Sequence, residues 1–194
     1  MAEVKLLLKQ TNNKFLNLYE MDYVKQGIER TYYIASRKED SKDLACVNPG
    51  VINCDAVMII PVFEDDKVLF IKQFRPVIND YIYEFPAGLV DTTDDSLVQT
   101  GVRELFEETG LEVIDVQEFL SPRYISVGLS DESLAVYLAV VKGTLTTRNQ
   151  EENEDISFEI INIDNVKDFV HTHNVAMQAS LVSLFLDKCN ESQK

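Results

Sequence analysis

The chain has 194 residues, 45% of them hydrophobic, with 33 acidic side chains against 18 basic ones and a formal net charge of -15. Its length and apolar content suit one core domain with an appendage, and its charge argues against a nucleic-acid surface, because phosphate backbones are bound through Lys and Arg. No run is apolar enough to span a membrane, and the start, with its short Leu6-Leu7-Leu8, lacks the cleavage site of a signal peptide. Cys46, Cys54 and Cys189 are odd in number and lack paired metal-ligand spacing, so they read as reduced thiols in a cytoplasmic setting.

In chain order, residues 14–21 and 30–37 alternate roughly between apolar and polar, which predicts antiparallel strands of a small N-terminal sheet within residues 1–50. The polar stretch 37–43 reads as a loop, and Asn48-Pro49-Gly50 as the turn that opens a main domain over residues 51–194. Residues 54–62 are nearly all apolar, as in a strand covered on both faces, and Glu64-Asp65-Asp66-Lys67 turns the chain into a hairpin with 68–74. Further strands are predicted at 81–85, 112–120, 134–142 and 157–162. A short helix follows near 163–171, then a loop in which His171 and His173 flank Thr172 and read as surface residues, and then a terminal helix from about 175 to 188. Strands with helices on either side imply an α/β/α sandwich with a mixed sheet.

The most informative stretch is Arg103-Glu104-Leu105-Phe106-Glu107-Glu108-Thr109-Gly110-Leu111. Ser96 and Gln99 form a capping box and Gly110 stands where a left-handed residue ends a helix, which predicts a helix over 97–109. At 100° per residue Val98, Val102 and Leu105 share a stripe, with Glu104 and Glu108 nearly opposite and Glu107 beside them, so the apolar stripe is expected to pack and the acidic face to look out. Like charges four apart repel, and a hard divalent cation such as Mg²⁺ answers that repulsion with oxygen ligands. The bland alternative is a solvated acidic face. Arg103 is spaced to pair with Glu107, and Gly101 inside the helix costs about 1 kcal/mol relative to Ala.

This stretch resembles the box of the Nudix hydrolases, G-x5-E-x7-R-E-U-x-E-E-x-G-U, with Arg103, Glu104, Leu105, Glu107, Glu108, Gly110 and Leu111 in place. Gly88 to Arg103 is one residue longer than the pattern, and its first acid is Asp94 or Asp95 where the family has Glu. Outside the box, Gln73-Phe74-Arg75-Pro76, Glu84-Phe85-Pro86-Ala87-Gly88 and Gly128-Leu129-Ser130-Asp131-Glu132 resemble the ADP-ribose pyrophosphatase group, with Val127 where its loop usually has Pro.

That resemblance implies cleavage of ADP-ribose to AMP and ribose 5-phosphate, with Mg²⁺, or Mn²⁺, held by Glu104, Glu108 and the backbone carbonyl of Ala87, and Glu107 and Glu108 in the catalytic set. It implies that Glu132, on a mobile loop, positions or deprotonates the attacking water. It further implies that Arg37, Arg75 and Glu84 contact substrate, that Tyr32 replaces a Trp that stacks on adenine, with Tyr33 where an acidic residue is usual, and that the N-terminal sheet exchanges across a homodimer. Another nucleoside diphosphate sugar such as GDP-mannose, a sensor that binds without hydrolysis, and an acidic interaction domain are the other readings. Retention of Glu104, Glu107, Glu108 and Glu132 speaks against the sensor, and the box and arginines against the interaction domain.

Overall fold

The structure is a computed structural model that describes residues 2–150 and 155–191; the side chain of Cys189 lies outside those described. The chain divides into two compact units, Met1–Ala56 with Ser121–Ala135, and Val57–Leu120 with Val136–Lys194. Among the described residues no helix is long and apolar enough to cross a membrane.

The first unit holds a three-stranded antiparallel sheet in the order β1 (Glu3–Lys9), β2 (Asn17–Lys25), β3 (Ile28–Ser36). Strand alternation gives it one packed face: Tyr19, Ile34 and Leu44 form a buried cluster against Leu7, Met21 and Cys46. The buried Tyr19 hydroxyl lies 2.7 Å from the Lys38 carbonyl and 2.8 Å from that of Glu39, which fixes the chain just after β3. The stretch expected as a loop over 37–43 contains one short 3-10 turn, Ser41–Asp43, capped by the Asp40 carboxylate.

The second unit is built on a sheet in the order β10, β5, β4, β9, β8, with β6 paired to β5 and β7 to β4. Its strands are β4 (Ala56–Phe63), β5 (Lys67–Arg75), β6 (Asp80–Glu84), β7 (Ala87–Leu89), β8 (Glu112–Tyr124), β9 (Ser133–Lys142) and β10 (Ile156–Asn162). The ends of β8 and β9 at Ser121–Tyr124 and Ser133–Ala135 belong to the first unit. The β4–β5 hairpin pairs Phe63 with Lys67, as its turn sequence predicts, and β4 is buried over its first six residues, as expected of a strand covered on both faces. Helices α1 (Leu97–Thr109), α2 (Val166–Thr172) and α3 (Met177–Glu191) complete the unit.

Helix α1 begins and ends at the expected caps: the Ser96 side chain accepts from Gln99 N–H, and Gly110 is left-handed at φ 75°. Its orientation differs from the periodicity reading. The buried residues are Thr100, Gly101, Leu105, Glu108 and Thr109, while Val98 and Val102 are only half-buried, so the acidic face does not simply look out. Gly101 explains the rotation. A Cβ there would stand 3.1 Å from Val57 Cγ1 and 3.7 Å from the Ile59 side chain, so the missing side chain lets α1 settle on β4 along the Gly101–Glu108 line.

Candidate active site

Two groups of polar residues stand out, one in each unit. In the second, the Pro86 carbonyl accepts from Ile59 N–H at 2.9 Å, just before the short strand β7, which pairs with β4. A Cβ on Gly88 would overlap the Glu104 carboxylate itself. Only glycine at 88 therefore leaves room for that carboxylate. One turn on, Glu108 is 3% exposed, an unusual degree of burial for a carboxylate. These are oxygen donors of the kind a hard divalent cation takes, namely carboxylates and a backbone carbonyl. Among the described residues no three His, Cys, Asp or Glu side chains form a ready-made cage, so the donor set suits a cation completed by water and substrate phosphate.

Arg103 organises the acids around this helix. Its Nε and Nη2 donate to the two oxygens of Asp94 at 3.1 and 3.0 Å, while Nη1 donates to Glu104 Oε1 at 2.8 Å and Glu107 Oε2 at 3.0 Å. The pairing of Arg103 with Glu107 is thus as the spacing predicts, and it extends to Glu104 and Asp94. Asp94 also accepts from the Thr100 hydroxyl at 2.8 Å and from Asp91 N–H at 3.1 Å. Its side chain is 3% exposed, and the Arg103 guanidinium above all holds its carboxyl well below the usual range. In this arrangement Asp94 orients Arg103, whereas Asp95 is exposed.

Arg75 is the last residue of β5, and its Nε donates to Glu84 Oε2, at the end of β6, at 2.6 Å. The two residues expected to contact substrate therefore hold each other.

In the first unit, Arg37 directly follows β3, and its Nε donates to Glu132 Oε1 at 2.7 Å. The segment carrying Glu132 is tied down along its length. Tyr32 donates its hydroxyl to the Gly128 carbonyl at 2.7 Å, Ala35 N–H reaches Leu129 O at 2.9 Å, and Asp131 accepts from Ala45 N–H at 3.1 Å. Beside it lies a cavity of about 410 Å³, lined in part by Met21, Tyr32, Ile34, Tyr124, Val127 and Leu129. Cys46 also borders it; burial, with Asp131 nearby, raises its thiol pKa and leaves it a weak nucleophile at neutral pH. Tyr33 points to the opposite face of the strand, across from Glu20.

Residues 53–179 match the NUDIX domain. The chain belongs to the Nudix hydrolases. It is 29% identical over 163 residues, 83% of this chain and 78% of that protein, to the ADP-ribose pyrophosphatase of Bacillus subtilis. It is 27% identical over 142 residues, 72% of this chain and 75% of that protein, to the methanol dehydrogenase activator of Bacillus methanolicus. A crystal structure of an ADP compounds hydrolase, 18% identical, aligns with TM-score 0.77 over 99% of this chain and 95% of that one, which establishes the fold.

Sequence reasoning placed Glu104, Glu107, Glu108, Ala87, Arg37, Arg75, Glu84, Tyr32 and Glu132 in the candidate set. The structure brings together Glu104 with Gly88, the residue after Ala87, Arg75 with Glu84, and Arg37 with Glu132. It adds Asp55, Lys38 and Ser133, whose partners lie 17 and 78 residues apart in the chain. Separations of that kind leave no local pattern to read.

Proposed function

We propose that this protein hydrolyses the pyrophosphate bond of ADP-ribose, giving AMP and ribose 5-phosphate, with Mg²⁺ or Mn²⁺. The observation that carries the reading is the Glu104 carboxylate seated against Gly88, one helical turn from the buried Glu108. Glu104, Glu108 and the Ala87 carbonyl would hold the cation, which when bound neutralises pyrophosphate charge and favours deprotonation of the attacking water. Glu107, half-exposed and paired to Arg103, sits at the edge of this set. Arg75 and Arg37 offer guanidinium forks suited to phosphate oxygens; in this reading each exchanges part of its carboxylate pairing for substrate. Glu84 orients Arg75. Glu132 accepts the proton of the attacking water or aligns it, and Arg37 holds its carboxylate meanwhile.

Similarity to a bacterial ADP-ribose pyrophosphatase supports the choice of substrate. The apolar cavity beside Tyr32 and Leu129 suits the flat face of a nucleobase. Of its polar side chains, Asp131 is engaged by Ala45 N–H, Ser130 by Glu132 N–H and Tyr32 by the Gly128 carbonyl, so little in it selects one base over another. That favours, as a second reading, a wider range of nucleoside diphosphate sugars. Domains of 1–50 and 51–194, a homodimer through the N-terminal sheet and a cytoplasmic location belong to the same proposal. They are supported by exposed Leu6, Leu8 and Tyr33 on that sheet and by the unpaired thiols Cys46 and Cys54.

The test is product release from ADP-ribose, GDP-mannose and NADH, each with Mg²⁺ and with chelator. ADP-ribose is expected to lead, only with metal, and Glu108→Gln to lower kcat by about 10²–10³ with the fold intact. Equal turnover with chelator removes the metal assignment, and another leading compound favours the second reading.

A further inference from the structure

One carboxylate in the first unit grips the chain immediately beside both Arg37 and Glu132. Asp55 Oδ1 accepts from the ammonium of Lys38, the residue after Arg37. Its Oδ2 accepts from the backbone N–H of Ser133, the residue after Glu132, at 2.9 Å, and lies 3.0 Å from the Ser133 hydroxyl. The backbone closes the pair from the other side, with Asp55 N–H donating to the Ser133 carbonyl at 3.2 Å. The cluster is largely withdrawn from solvent: the Asp55 and Lys38 side chains are 6% and 20% exposed, and Ser133 is fully buried. Buried charge-assisted bonds of this kind are strong and directional.

We propose that Asp55 is a positioning residue that sets the Arg37–Glu132 pair, by fixing the backbone next to each partner with one of its two oxygens. The proposal rests on the reading of Glu132 as the group that handles the attacking water. Only a carboxylate satisfies the geometry, because Lys38 and Ser133 N–H both donate. An amide at 55 accepts on one side alone and turns its NH₂ toward a second donor on the other.

The test compares Asp55→Asn with the parent in the full chain. The first readout, made without metal or substrate, is exchange of the Arg37 Nε–H with water by ¹⁵N NMR, expected to accelerate about tenfold or more as the ion pair loosens. The second is turnover of ADP-ribose with Mg²⁺, in which kcat is expected to fall about tenfold while KM stays within about twofold. In a Glu132→Gln background the same substitution is expected to change kcat by less than about twofold, since it acts through Glu132. Unchanged Arg37 exchange in a folded variant overturns the proposal, as does a full tenfold loss added to that of Glu132→Gln. If Asp55→Asn does not fold, Asp55→Asn with Lys38→Met, which strands no buried charge, gives the same readouts. Wild-type turnover in Glu132→Gln would instead sink the role of Glu132, and the exchange rate would still decide whether Asp55 holds the pair.

Discussion

The guanidinium of Arg103 grips Asp94 with two parallel bonds, Nε to Oδ1 at 3.1 Å and Nη2 to Oδ2 at 3.0 Å, and turns its remaining nitrogen onto Glu104 and Glu107. Asp94 thereby aims Arg103, and Arg103 aims the acids of α1. Removing the anchor should loosen the carboxylates without touching them. Asp94→Asn is expected to weaken Mn²⁺ binding about 10- to 100-fold, as measured by electron paramagnetic resonance titration. Unchanged affinity would mean that α1 holds its acids unaided.

The same pair makes stability depend on acid. The folded protein keeps the Asp94 carboxyl below its ordinary value of 3.8, so the unfolded chain binds its proton more readily. The pair's contribution is therefore complete above about pH 4 and shrinks as pH falls toward the lowered folded value. Urea midpoints measured at intervals below pH 5 should drop less steeply in Asp94→Asn than in the parent; identical slopes would rule out this carboxylate as a source of acid sensitivity.

Gly88→Ala places a methyl group where the Glu104 carboxylate stands. Glu104 must then swing away from its place against Gly88. Loss of at least about 100-fold in kcat/KM, with circular dichroism unchanged, is the expected result. An active, folded Gly88→Ala enzyme would show that this contact is dispensable.

Gly101→Val tests the seating of α1. The 3.1 Å approach to Val57 Cγ1 leaves no room for a branched side chain, and overpacking of this kind costs about 1–3 kcal/mol. Urea denaturation reads the loss directly. A variant as stable as the parent would place the cause of the helix's rotation elsewhere.

Arg37→Ala removes the cation that holds Glu132. Were Arg37 a substrate contact alone, KM would rise and kcat would stay. With the observed pair, kcat is expected to fall as well, by about tenfold, and Arg37→Lys to recover only part of it because an ammonium lacks the planar fork.

What could be read from the chain beforehand was whatever depends on neighbours in sequence. The caps at Ser96 and Gly110, the β4–β5 turn, and the pairing of Arg103 with Glu107 are all local, and all are found. The burial of Glu108 was not legible, because hydrophobic periodicity weighs side chains and Gly101 has none; the helix turned toward the residue that left a gap. Strand β8 runs to Tyr124, past the expected end at residue 120. Pro122 signals a stop, but β8 is the last strand in the sheet order, and edge strands are where a sheet tolerates proline. Strand β2 runs over Asn17–Lys25, where the alternation suggested 14–21, because pairing with both β1 and β3 set its register.

Pro122 has a bearing on life at high concentration. An outermost strand presents unused donors and acceptors to any extended peptide, including another copy of itself, and sheets grow into fibrils by that route. The pyrrolidine ring removes a backbone donor from this strand, and Arg123 beside it adds a charge that a growing stack would have to bury. The imino acid that hides the strand from a reader of the sequence also shields its rim from uninvited partners.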